Sequence, residues 1–493
     1  MSLTQRFRTS LALLTDMYQL TMAQGYWKKG MADQEAVFHL YFRKNPFKGG
    51  YTLCAGLEDA IDLLQNFGFT EEDVAYLGSL KGSQGQVLFE EGFLQHLREL
   101  QFTCDVEAIP EGTAVFPNEP LLRIKGPILQ CQLLETPLLT ILNFQTLVAT
   151  KAARVVDAAQ GDTVIEFGMR RAQGPDGAIS AARAAFIGGV KATSNMLAGK
   201  LFAIPVKGTH AHSWVMSFER ESEAFSAYGD VFPHDSVFLV DTYNTLEGVK
   251  KAIAVASKMR AQGGELRGIR LDSGDLAYLS IEARKLLDAA GFEKVAILGS
   301  NDLDEHLIQS LKQQGAKIDT WGIGTKLVTA YDQPALGGVY KLAALKKDDQ
   351  DWEYKLKLSE QLVKISTPGI LQVRRFYRNN SPIGDMIFSE PQQVQAPATM
   401  VHPNDPTQRK TFQDDCTFED LLVPVFQKGK LTYTSPSLLE IQERAARQVA
   451  LLHETYRRFL NPHIYKVGLE AQLHEKKMAL IVKFREEGAS HKD

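Results

Sequence analysis

Between residues 163 and 326, short apolar runs rich in β-branched residues alternate with amphipathic stretches, and this alternation limits the fold more than any other feature. Thr163–Phe167, Leu201–Val206, Ser236–Val240, Leu266–Leu271, Lys294–Leu298 and Lys317–Ile323 read as strands. An Ala-rich stretch from Ile179, a stretch around Glu221–Tyr228, and Thr245–Gln262, Leu276–Ala290 and Leu303–Gln314 read as helices. Gly263, Gly291 and Gly315 follow three of them, where a residue without Cβ takes the left-handed conformation that ends a helix. Such alternation implies βαβ units and a parallel sheet. Six consecutive strands with no GxGxxG after the first favour a closed or nearly closed barrel over an open doubly wound sheet.

The flanks read differently. Residues 1–150 mix helical stretches with strand-like runs at Ala36–Phe42 and Pro120–Ile124. From Lys346 the chain turns charged (KKDDQDWEYK), then irregular around Pro391, Pro397, Pro403 and Pro406. Leu438–Phe459 reads as a helix and the tail from Glu486 as frayed. The expected class is α/β: an N-terminal α+β domain (1–150), an irregular parallel β/α barrel (151–345) and a C-terminal domain packing on both (346–493).

Composition narrows the function. The 493 residues hold 55 Lys and Arg against 59 Asp and Glu, so no bulk positive field points to nucleic acid. Cys54, Cys104, Cys131 and Cys416 are scattered without a CxxC pair, which fits a reducing cytoplasm rather than a disulfide framework or cysteine zinc site. Arg6 and Arg8 precede Leu11–Leu14, but Asp16 cuts that apolar stretch short, so no targeting segment is expected. Polar residues from Gln130 to Lys151 break the most apolar window, so no membrane span is expected either.

Each central strand ends in a polar or glycine-rich cluster. In chain order these are Glu166–Arg171, Lys207–His212, Asp241–Asn244, Asp272–Asp275, Gly299–Asp302 and Gly322–Lys326. A parallel barrel gathers the carboxyl ends of its strands on one face, where barrel enzymes do their chemistry. Guanidinium groups, glycine loops and carboxylates together suit a phosphate-bearing substrate with a divalent metal. Any one cluster alone is also what helix capping uses. Phe238–Thr242 lacks the paired acids of a type I phosphoribosyltransferase loop.

Thr15–Met22, Asn45-Pro46-Phe47 with Gly49-Gly50-Tyr51, Glu166–Arg171, Gly208–Ser213, Arg270–Asp275 and Gly322–Thr325 occur in one order, and that order resembles the nicotinate phosphoribosyltransferase family. The resemblance runs from about Leu14 through Lys341 and more loosely beyond. It implies a type II phosphoribosyltransferase fold, usually dimeric, that joins nicotinate to phosphoribosyl pyrophosphate in NAD salvage with ATP hydrolysis and Mg²⁺. It also implies that Tyr18 and Phe167 sandwich the nicotinate ring, with Arg270 and Thr209 holding its carboxylate or positioning the ring and Arg170 and Arg171 as further anion contacts; Tyr18 lies so far from the barrel in sequence that it is expected from the partner subunit. Gly322, Gly324 and Thr325 would cradle the ribose 5-phosphate, and Asp272 would face the ribose or the metal–pyrophosphate side. His212 matches the family's phosphorylation site, with Asp241 expected to orient its imidazole and His210 ranked second. The metal would be held mainly by substrate phosphates.

Three alternatives are weighed. A nicotinamide phosphoribosyltransferase would want an acceptor; Ala172-Gln173-Gly174 has none, although Asp176 is near. A non-catalytic nucleotide-binding barrel could dispense with His212 and Asp241, which this chain keeps. A barrel lyase would want a Schiff-base lysine, with Lys207 and Lys326 as candidates.

Overall fold

The computed structural model describes residues 10–346, 351–361, 364–390, 392 and 394–490, with side chains described as far as 487. Arg6, Arg8, Pro391 and residues 347–350 of the charged stretch lie outside them. The chain divides into two compact units, Val148–Pro334 and Met1–Leu147 with Ala335–Asp493.

The first unit is built on a curled, all-parallel sheet of β1 (Thr163–Glu166), β2 (Ala192–Thr193), β3 (Ser236–Leu239), β4 (Leu266–Leu271), β5 (Ala296–Gly299) and β6 (Thr320–Ile323). Their spatial order is β2-β1-β6-β5-β4-β3. Helices Gly174–Ile187, Glu221–Val231, Thr245–Ala261, Leu276–Ala289 and Glu305–Gln313 alternate with the strands. Gly263, Gly291 and Gly315 stand just past helix ends with φ of 85°, 76° and 80°, as the sequence implied.

The Leu201–Val206 strand is not formed. Asn195 caps a helix over Met196–Phe202, accepting from the Ala198 N–H, and only Val206 forms a bridge, to Thr193. Pro205 has no N–H to extend a ladder, and Ala203 turns left-handed at φ 55°. The strand missed by periodicity is β2, too short at two residues to show a pattern. At the opposite margin of the sheet, His210 Nε2 accepts the Leu239 N–H at 3.2 Å, so an imidazole meets the edge of β3 where a strand would have paired.

Burial supports the sheet from within. Trp321 is fully buried, its indole N–H donating to Asp162 at 2.9 Å, and Phe225 stacks on Phe238 at 4.9 Å. Glu305, also buried, pairs with Lys151 and Arg154 at 2.7 and 2.8 Å.

The second unit contains a seven-stranded antiparallel sheet in which Glu35–Tyr41 pairs with both Val339–Lys346 and Leu122–Pro127. Asp105–Ala108 of the same sheet pairs with Val423–Gln427. Sheet pairing thus places the stretch after 346 in one unit with the first 147 residues. A six-stranded mixed sheet includes Leu371–Arg378, Ser381–Ser389, Ala398–His402 and Val467–Glu470. A capping box of Ser437 and Glu440 starts the helix Leu438–Leu451, which stops short of Phe459 because Leu452 is extended. The last helix, Ala471–Ser490, continues past Glu486, where fraying was expected, to the last described residue. Among the described residues, no helix is long and apolar enough to cross a membrane.

Candidate active site

Parallel pairing delivers six strand ends to one side of the curled sheet, and Arg270, near the end of β4, links four of the loops that follow. Its Nε donates to Ser300 Oγ at 2.8 Å, one Nη to Thr209 Oγ1 at 3.1 Å, and the other Nη to Asp272 Oδ1 at 2.7 Å. Its guanidinium lies 5.6 Å from the centre of the Phe167 ring. A guanidinium has five N–H donors, so these three bonds leave two, one on each Nη, as a fork for an incoming anion.

Asp272 is the second node. Its Oδ1 also accepts from Ser300 Oγ at 2.5 Å, and its Oδ2 faces His212 Nε2 at 3.6 Å. Burial would raise the carboxyl's pKa, but the Ser300 hydroxyl, the Arg270 guanidinium and His212 outweigh it and hold Asp272 below the usual carboxylate range.

The two histidines separate clearly. His212 has a side chain 40% exposed and places Nδ1 3.1 Å from Thr242 Oγ1. His210 is buried among Phe225, Tyr228 and Phe238, and burial lowers its pKa to about 4, so it is a neutral packing residue. The expected pairing of Asp241 with His212 is not formed. Asp241 Oδ2 instead accepts from the Asp272 N–H at 2.9 Å and Ser273 Oγ at 2.6 Å, bracing the loop after β4. Asp241 Oδ1 is buried with no hydrogen-bond partner among the described residues.

Phe167 is held from both sides. Buried Glu166 accepts the Gly168 N–H and the Thr193 hydroxyl, fixing the turn after β1. Opposite, a Cβ on Gly322 would come within 2.7 Å of the Phe167 ring, so glycine there makes room for the aromatic face. Two clefts open beside this ring and share Phe167, Arg170 and Arg270. One, of about 210 Å³, adds Arg171, Asp272, Gly322, Gly324 and Thr325; the other, of about 260 Å³, adds Gly208, Thr209 and Ala211. Arg170 and Arg171 are exposed at the mouth.

Not every strand-end residue faces the clefts. Asn244, Asp275 and Asp304 are helix N-caps, accepting N–H groups of Glu247, Tyr278 and Leu307. Lys326 pairs with Asp304 at 2.5 Å; burial would lower its pKa, but that partner raises it, the reverse of what a Schiff-base lysine needs. Lys207 is exposed, and Asp176 stands on neither cleft wall. Tyr18 belongs to the other unit, half exposed on the helix Met17–Lys28 beside exposed Met17 and Met22. Sequence reasoning gave no role to Ser300, which follows β5 directly, or to Thr242, three residues past the end of β3.

Family comparisons fit this geometry. Residues 13–143 match the nicotinate phosphoribosyltransferase N-terminal domain, 163–361 the nicotinate phosphoribosyltransferase family, and 371–477 its C-terminal domain. A nicotinate phosphoribosyltransferase of Bacillus subtilis is 46% identical over 96% of this chain and 95% of its own. The chain belongs to the nicotinate phosphoribosyltransferase family. The enzyme of that name from Homo sapiens is 36% identical over 94% of this chain and 95% of its own. The crystal structure of human nicotinic acid phosphoribosyltransferase superposes with a TM-score of 0.83 at 34% identity, covering 95% of this chain and all of that one. A nicotinate-nucleotide pyrophosphorylase from Pyrococcus furiosus, 21% identical with a TM-score of 0.68, shares the fold.

Proposed function

We propose that the chain joins nicotinate to phosphoribosyl pyrophosphate, coupled to ATP: with ATP and water these give nicotinate mononucleotide, pyrophosphate, ADP and phosphate. The observation that carries this reading is the unfilled fork of Arg270, set against the Phe167 face between two clefts. A flat ring bearing a carboxylate matches that pair: the aromatic face takes the ring, and the two free N–H groups take the carboxylate. A neutral amide would satisfy such a fork less well, which favours nicotinate over nicotinamide.

Transfer builds positive charge on the ribose as pyrophosphate leaves, and no covalent nucleophile is required. The work lies in aiming the ring nitrogen at the anomeric carbon and in neutralising the leaving group. Phe167 and Arg270 would aim the ring, Arg170 and Arg171 would draw in the phosphates, and Gly322, Gly324 and Thr325 would border the ribose phosphate. Asp272 and the unpartnered Asp241 Oδ1 suit ribose hydroxyls or a hydrated cation. Mg²⁺ would supply charge neutralisation on the pyrophosphate. The ion would be carried mainly by the substrate phosphates.

For ATP coupling, the tautomer in which His212 donates its Nδ1–H to Thr242 Oγ1 would leave Nε2 with its lone pair on the Asp272 side. Nε2 would attack the γ-phosphorus, forming the N–P bond as the bond to ADP breaks. Water later releases phosphate. The surroundings that favour this role are Thr242 and Asp272, with Asp241 acting through the loop after β4.

The proposal extends to a cytoplasmic homodimer in which Tyr18 of one subunit completes the ring sandwich of the other. Hybrid dimers of Tyr18→Ala and Arg270→Ala subunits should regain partial activity; no rescue would remove Tyr18 from the site. The decisive assay offers nicotinate, nicotinamide and quinolinate in parallel, with and without ATP. Product from nicotinate, enhanced by ATP, is expected, and equal turnover of nicotinamide would overturn the assignment.

A further inference from the structure

The unit that holds neither cleft has a larger one of its own, about 650 Å³, between the hairpin around residues 400–410 and the segment 463–468. Its wall carries Arg409, Lys410 and Lys466 together with His402 and His463, and no aspartate or glutamate. Nearby Asp405 is turned to Thr407 and Gln408. The positive charge on Lys410 is crowded: burial lowers its pKa, and Lys466 and Arg378 lower it further. Like charges held together without an acid on the wall cost stability unless an anion offsets them.

A second observation is independent of that wall. A small chamber shares Asn118, Pro403 and Asn404 with the cleft and is lined by Lys477. Lys477 is 3% exposed, and its ammonium makes one described hydrogen bond, 3.4 Å to Thr367 Oγ1, with no carboxylate beside it among the described residues. Burial pulls its pKa down to about 8. A buried amine without an acidic partner is a costly feature to retain on packing grounds alone.

We propose that this cleft is a second anion site, taking a small molecule that bears a di- or triphosphate, with Arg409, Lys410 and Lys466 on the phosphates and Lys477 strengthening the field from behind. Met400 and Val467 provide apolar wall for the rest of the ligand, and the volume lies within the range of nucleotide-sized pockets. The site would act as an effector site, because the residues assigned to transfer, Tyr18 apart, belong to the other unit.

The test is calorimetric titration of the full-length protein with inorganic triphosphate at low salt. The parent should show two classes of site, and the double variant Arg409→Ala/Lys466→Ala should lose one while making nicotinate mononucleotide at the parental rate without added triphosphate. Lys477→Met should weaken the same class by about tenfold. Acetic anhydride labelling of the unmutated protein gives a second readout, in which triphosphate should protect Lys410 and Lys466. Unchanged titration of the double variant would overturn the proposal, as would absent protection or loss of all binding in Arg170→Ala/Arg171→Ala. A change of oligomeric size in the double variant, without triphosphate binding in the parent, would assign the cleft to a contact between copies instead.

Discussion

Each unit contains an Arg–Asp pair, and the two are built to different ends. Arg375 and Asp385 are 1% and 0% exposed in their side chains. Arg375 grips both carboxylate oxygens, and Gln448 and the Ala114 carbonyl take further N–H groups while the Tyr465 hydroxyl donates to Asp385 at 2.8 Å. Arg270 and Asp272 are 15% and 25% exposed, joined by one bond of 2.7 Å, with two guanidinium donors and one carboxylate face left toward open clefts. Burial and near-complete pairing mark the first pair as architecture. Incompleteness marks the second as a place where a ligand finishes the network.

The largest contrast should come from removing the acid of each pair. Asp385→Ala strands a buried guanidinium and should cost about 3–5 kcal/mol of stability, read as a large fall in thermal midpoint. Asp272→Ala should leave the midpoint within a few degrees yet lower turnover on the order of 100-fold. Equal losses of stability would erase the distinction. Next in size, Arg270→Lys keeps the charge but loses the fork, and should raise the nicotinate KM by about tenfold or more, with a smaller change for the phosphoribosyl donor. Equal shifts in both KM values would take Arg270 off the carboxylate. His212→Ala should abolish ATP hydrolysis while leaving slow ATP-independent synthesis, and persistent ATPase would remove His212 from that role. His210→Ala should lower stability instead.

Periodicity exposed the alternating strands and helices because each long helix buries one face, and the strand-end clusters followed from parallel topology. Val206 and the two-residue β2 were not legible, since one proline and a capping asparagine decided them locally. The same limit applied within the site. Composition alone could not show that Asp275 caps a helix while Asp272, three residues earlier, meets Arg270. Nor could alternation separate His210 from His212, because what divides them is the aromatic packing around one and the Thr242 hydroxyl beside the other. Ser300 went without a role because a serine after a strand signals only a turn until the Arg270 guanidinium on the adjacent strand is seen to reach it.

The smallest effect is the pH dependence of the Asp272 network, and its sign follows from the direction of the shift. The folded carboxyl lies below its ordinary value: burial opposes ionisation, but Ser300, Arg270 and His212 together prevail. Its contribution to stability is therefore fully present above the unfolded pKa of about 3.9 and is lost as pH falls through the folded value. Partial exposure of both partners discounts this to a fraction of a kcal/mol. Comparing Asp272→Asn with the parent by thermal unfolding should show a small deficit at pH 6 that closes below about pH 4. His212 adds a handle on the same network, because its Nε2 faces Asp272 Oδ2 at 3.6 Å, and His212→Ala should shrink the deficit. A deficit that instead grew on acidification would mean that the carboxyl is held protonated, and the open pair would then have to be read as a neutral hydrogen-bonded turn.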